Sequence, residues 1–179
     1  MARLASVAPG TGPGTPPVKQ TTAHPPIPPD CNFLHLLANS PAATEGYLAS
    51  QSALARGQLT LRQRELLALA VAEINGSKYC LSAHAALARK AGLSEQDIRF
   101  ARKATAANPQ EDAMLRFAQA VTLQRGDVSD ADFQMLKRAG FTDGPIAEII
   151  ANIALNVFTN YFNVLARTEI DFPAIKQER

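Results

Sequence analysis

At residues 75–77 the sequence reads Asn-Gly-Ser, three cap and turn formers set between two strongly apolar helical stretches. Nothing on either side alternates with period two, so strands are not indicated. A helix should stop near Ile74, and a second should start near Ser77 and run to about Ala91. If the chain folds back at Gly76, the two form a helical hairpin. Leu66, Leu67, Leu69, Ala70 and Val71 nearly encircle the first helix, which predicts a central, buried element.

Start and stop signals extend this reading along the chain. A short apolar segment covers 33–37. Ser40-Pro41 looks like an N-cap followed by proline at the first helical position, opening a helix to about Arg56 that stops at Gly57. Thr60 and Gln63 make a capping box for the central helix. Gly92 closes the hairpin's second helix, and Ser94 with Asp97 opens another to about Ala104. Asn108-Pro109 begins the next, which should present Met114, Phe117, Ala118, Val121 and Leu123 to the core before Gly126. Ser129 or Asp130 starts a short helix ending at Gly140, with Phe133 and Leu136 facing inward. Asp143-Gly144-Pro145 opens the last and longest, to about Arg167. The fold class is all-α, a compact bundle of seven or eight helices joined by short loops.

Residues 1–29 hold eight of the twelve prolines and three of the ten glycines, with few large apolar side chains. Such a segment buries too little surface to offset the entropy of ordering, so a flexible Pro-rich tail precedes one domain over 30–179. The tail has no continuous apolar stretch of the kind a signal peptide needs. Residues 25–29 are stiff polyproline, able to float as a linker or to lie along a neighbouring subunit.

Charge is nearly balanced, 18 basic against 16 acidic side chains, which gives no field for nucleic acid or an anionic membrane surface. No uncharged apolar run is expected to approach the 18 or more residues of a membrane-spanning helix, and two cysteines make no disulfide framework. The expectation is a soluble, cytoplasmic protein. His24 and His35 lack metal-ligand partners at a useful spacing, and a Cys80–His84 pair offers two ligands where structural zinc needs four. Neither metal nor cofactor is expected.

The chemistry gathers in 65–84. Cys80 and His84 are four residues apart, which on a helix brings them to one face. With Ser77 as N-cap, Cys80 falls in the first turn, where unpaired N–H groups and the helix dipole favour an anion such as a thiolate. Glu65, fifteen residues earlier, could reach His84 across the hairpin, completing a thiol, imidazole and carboxylate set. Burial would make Glu65 a proton-handling group; on the surface it would merely be solvated. Tyr79, beside the cysteine, either packs or orients a ligand through its hydroxyl. Cys31 reads by itself as a plain buried thiol.

Glu65, Ser77-Lys78-Tyr79-Cys80 and Ala83-His84 resemble the core signature of the alkylhydroperoxidase D and carboxymuconolactone decarboxylase superfamily. The likeness runs through Leu59-Thr60, Asn75-Gly76, Gly92-Leu93-Ser94 and residues 158–163 to Ile170-Asp171-Phe172-Pro173, and is similar to a peroxidase-related branch. It implies an alkylhydroperoxidase D-like fold and catalytic roles for Cys80, His84 and Glu65. Cys80 would attack the peroxide while His84 and Glu65 relay its proton. Where the family has its first, resolving cysteine this chain has Ser77, so no disulfide can close within the motif. The resemblance also implies a homo-oligomer, a trimer or a hexamer.

Three functions follow. The first is a thiol-based peroxidase or related antioxidant oxidoreductase acting on a small-molecule hydroperoxide, regenerated by an external thiol reductant or by Cys31 as candidate resolving thiol. The second is a decarboxylase-like lyase using His84 and Glu65 as acid and base on a small carboxylated lactone, with Lys78 and Arg62 or Arg64 as the basic side chains near the motif. The third is a non-catalytic helical oligomer. Asn152, Asn156, Asn160 and Asn163 form a stripe on the last helix beside Phe158, Tyr161 and Phe162, which suggests assembly more than catalysis.

Overall fold

The computed structural model describes residues 2–7, 27–173 and 175. Among these residues eight α-helices and no strand are formed: α1 (Asn32–Leu37), α2 (Pro41–Ala55), α3 (Leu61–Ile74), α4 (Lys78–Lys90), α5 (Glu95–Arg102), α6 (Pro109–Gln124), α7 (Asp130–Arg138) and α8 (Asp143–Ala166). Most boundaries follow local chemistry. Ser40, Thr60, Ser94, Asn108 and Ser129 each accept a backbone N–H at a helix start, and Thr60–Gln63 and Ser94–Asp97 are complete capping boxes. Each such cap contributes about 1 kcal/mol.

What holds the bundle is α3. It packs against α4, α5, α6 and α8, and every residue from Arg64 to Ala72 is buried. At about 1.5–3 kcal/mol for each fully buried leucine, Leu66, Leu67 and Leu69 outweigh any local propensity. Arg62, in the first turn, faces outward and joins neighbouring helices instead. Its guanidinium meets Asp97 of α5 at 2.7 Å and Glu111 of α6 at 2.8 Å. That bond to Arg62 holds the Asp97 carboxyl well below the usual carboxylate range.

α3 ends in a Schellman turn, in which Gly76 N–H donates to the Glu73 carbonyl and Ser77 N–H to the Ala72 carbonyl. Gly76 has φ +66°, a conformation that favours glycine. The chain therefore reverses within three residues, and α4 returns along α3. Asn75 fastens this turn to α8 by donating from Nδ2 to Asn160 Oδ1 at 3.0 Å.

Several expectations change. Leu123 is 63% exposed, because it lies two residues beyond Val121 and so about 200° around α6 from the buried stripe. Leu115 is buried in its place. α5 stops at Arg102, and Ala104 turns into the left-handed region at φ +52°. α8 is uncharged from 149 to 166 and is, by length and composition, long and apolar enough to cross a membrane. This overturns the expectation that no uncharged apolar run approaches 18 residues, and its asparagines are buried. Of the tail, residues 2–7 lie against the body, with Arg3 N–H on the Ala166 carbonyl and Val7 N–H on the His35 carbonyl. Residues 8–26, with His24, lie outside the described residues.

Candidate active site

The hairpin turn decides which side chains of α3 and α4 meet. Glu65, one turn into α3, and His84, two turns into α4, come together with Oε2 3.0 Å from Nδ1. The Glu65 side chain is almost wholly buried and that of His84 is 18% exposed. An ionised Glu65 accepts at Oε2 from Nδ1–H, and in a neutral ring of that tautomer Nε2 keeps a lone pair able to exchange a proton.

Cys80 is one turn before His84 on α4 and is also buried. Its Sγ accepts a hydrogen bond from Asn163 Nδ2 of α8 at 3.3 Å. Cys80, His84 and Glu65 line one cavity of about 70 Å³. One water occupies roughly 10–15 Å³ on this scale, so the space fits a group of about five heavy atoms. Phe33 and Tyr47 bring aromatic walls from α1 and α2, while Asn152, Asn156 and Asn163 bring amides from α8.

Ser77 stands at the N-cap position of α4 but makes no capping hydrogen bond; its Oγ is buried without a partner. The Schellman turn has already fixed its backbone, and its side chain points inward. Tyr79 lines the cavity, yet its hydroxyl accepts from the Phe33 N–H at 3.1 Å and its ring packs edge-on against Phe172 at 5.7 Å. It anchors α1, and burial pushes its phenol far above the ordinary value.

Cys31, the N-cap residue of α1, is buried, is not disulfide-bonded and is not part of the cavity wall. Its thiol bonds the Tyr79 hydroxyl, and burial pushes it up, towards the protonated form. Of the basic candidates, Arg62 is committed to the surface ion pairs, and Lys78 is exposed and outside the cavity wall. Arg64 does line the cavity. Its Nη1 donates to the Leu59 carbonyl at 2.5 Å, and burial pushes the guanidinium down against the opposing charges of Glu65 and Glu148. Among the described residues no three metal-ligating side chains gather.

Residues 41–122, from the start of α2 to near the end of α6, match the carboxymuconolactone decarboxylase family. Solved structures agree over most of the chain. A protein of unknown function from Agrobacterium tumefaciens, proposed to serve antioxidant defence, is 29% identical with TM-score 0.69, over 75% of this chain and 94% of its own. An uncharacterized peroxidase-related protein with an alkylhydroperoxidase core from Ralstonia eutropha JMP134 is 29% identical with TM-score 0.69, over 78% of this chain and 76% of its own. Residues 41–122 thus carry the carboxymuconolactone decarboxylase family segment, and the fold is alkylhydroperoxidase D-like. A third structure, a debrominase in complex with 2,3,4-tribromopyrrole, shares the fold at 21% identity and TM-score 0.67, over 78% of this chain and 76% of its own. No functionally curated protein matches the sequence significantly.

Within this fold the asparagine stripe acquires a different place from the one read in sequence. Asn152, Asn156, Asn160 and Asn163 all face inward, and three of them line the cavity. A signal for this was present. Ile146, Ile149 and Ile153 set the buried stripe of α8, and stepping on by three and four residues lands on Asn156, Asn160 and Asn163. Amides continuing a core stripe mark a polar interior. Tyr47, Gln51 and Phe172 also line the cavity and carried no comparable signal.

Proposed function

We propose that this protein is a thiol-based peroxidase or closely related antioxidant oxidoreductase in which Cys80 is the attacking thiol. The observation that carries this reading is the hydrogen-bonded Glu65–His84 pair in the wall of the small cavity that also holds the Cys80 sulfur. His84 Nε2 takes the thiol proton, and the thiolate attacks the terminal oxygen of a hydroperoxide. The O–O bond breaks, Cys80 becomes a sulfenic acid, and the departing alkoxide takes the proton back from His84. Glu65 holds the ring in the required tautomer and balances the imidazolium charge. One external thiol condenses with the sulfenic acid, releasing water and leaving a mixed disulfide. A second thiol displaces the first and restores Cys80.

An external reductant fits better than Cys31, whose thiol lies outside the cavity wall and is held protonated by burial. Reduced protein given one equivalent of an organic hydroperoxide should gain one oxygen on Cys80, trappable by a 1,3-dione, and Cys31→Ala should behave as wild type. If Cys80 stays reduced, the reading fails. Loss of two hydrogens that requires Cys31 would return the resolving role to that residue.

Arg64 in the cavity wall favours one second reading, a lyase acting on a small carboxylated lactone with Glu65 and His84 as acid and base. That activity would survive Cys80→Ala. We also propose a homo-oligomer. Along α8, Ile150, Phe158, Tyr161 and Leu165 are exposed, beside an apolar groove of about 700 Å³ between α2 and α8. Sedimentation equilibrium should give a mass several times that of the chain; a monomer at micromolar concentration would end this proposal.

A further inference from the structure

We infer that Asn163 is a positioning residue for the Cys80 thiolate, a role that rests on the reading of Cys80 as the attacking thiol. The contact is a hydrogen bond from Nδ2 to Sγ at 3.3 Å, between two buried side chains brought together from α4 and α8. The amide orientation is fixed independently. Nδ2 also donates to the Thr159 carbonyl at 2.9 Å, and the flipped amide would set oxygen against oxygen there. One amide hydrogen is thus anchored in the helix, and the other is aimed at sulfur.

A packing role does not account for this side chain. Asn163 Oδ1 is buried with no hydrogen-bond partner, so the position carries an unsatisfied acceptor that an apolar residue would avoid. The Thr159 bond returns little, because the helix already uses that carbonyl. Only the bond to sulfur grows in value as the thiol becomes a thiolate, since hydrogen bonds to an ionised partner are roughly twice as strong as neutral ones.

The titratable groups facing the same cavity are Tyr47 from α2, Arg64 and Glu65 from α3, and Tyr79 and His84 from α4. α8 adds only neutral amides and Thr159. Tyr47 and Tyr79 stay protonated, burial pushing both phenols up. Arg64 faces the opposing charge of Glu65, which in turn bonds His84. Asn163 is therefore the donor on the α8 side of the sulfur.

The test is alkylation of Cys80 by iodoacetamide as a function of pH, in a Cys31→Ala background so that one thiol reports. With Asn163→Ala, the pH of half-maximal rate should rise by at least about half a unit, the equivalent of losing a roughly threefold preference for the thiolate. With the near-isosteric Asn163→Asp it should rise further, a carboxylate having replaced the donor. Wider access in the alanine variant alters the plateau rate but not the midpoint. Alanine suits a helix interior, so Asn163→Ala decides the matter if the aspartate variant fails to fold. An unchanged midpoint in a cooperatively melting Asn163→Ala protein overturns the inference. A shifted midpoint in a protein whose Cys80 ignores hydroperoxides would sink the peroxidase reading and leave this one standing. Oxidation of Cys80 with unshifted midpoints would do the reverse.

Discussion

Replacing Cys80 with serine is expected to lower hydroperoxide turnover by at least about a thousandfold, the scale on which removing an attacking nucleophile acts. Serine is close in shape, and its hydroxyl accepts the Asn163 amide as sulfur does, so the bundle and cavity should survive. What disappears is the nucleophile, because a hydroxyl at neutral pH does not ionise and does not attack an O–O bond. The comparison needs kcat/KM with an organic hydroperoxide and a thiol reductant, together with melting curves for both proteins. Retention of more than about a tenth of the activity would mean that Cys80 is not the reacting atom. Activity on a lactone in the serine variant would point to the lyase.

Glu65→Gln is expected to cost about 10²–10⁴-fold in the same assay, the usual range for general acid–base assistance. The amide keeps the shape of the side chain, and its carbonyl oxygen can accept from His84 Nδ1, so the ring stays in register. The negative charge is gone. An imidazolium formed on taking the Cys80 proton then loses its carboxylate partner, and once the thiolate is consumed in the attack no counter-charge is left at the position where Glu65 is almost entirely buried. The defect should lie in kcat more than KM, since Glu65 acts through His84. Equal turnover by Glu65→Gln and wild type would show that His84 works alone.

The sequence made the fold legible where spacing is local. Thr60 with Gln63, Ser94 with Asp97 and Asn108 before Pro109 announce helix starts within four residues. The Glu65–His84 pair was accessible for the same reason, since one tight turn relates the two helices and little freedom is left in their register. Ser77 shows the limit of such signals. Its position at the N-cap was correct, but the preceding Schellman turn fixes the backbone and turns the hydroxyl inward. Leu123 failed for a simpler reason, that helical phase and not hydrophobicity selects the core face. The isoleucine stripe marks the inward face of the α8 amides, but which cavity they and Tyr47 line depends on contacts made far apart in sequence. Cys31 belongs to the same class, for nothing in its neighbours indicates that its thiol would lie outside the cavity wall.

The cavity has two kinds of wall. Glu65, Cys80 and His84 lie inside the family-matched segment 41–122, whereas Phe33, Asn152, Asn156, Asn163 and Phe172 lie outside it. Reactive groups and much of the lining are therefore carried on different stretches of chain and, apart from Asn163, which bonds the Cys80 sulfur, can change independently. Relatives with the same hairpin can differ in what they admit to it by altering α8 and the flanking segments. Exchanging α8 between two relatives should move selectivity with the transplanted helix and leave the reaction type with the hairpin.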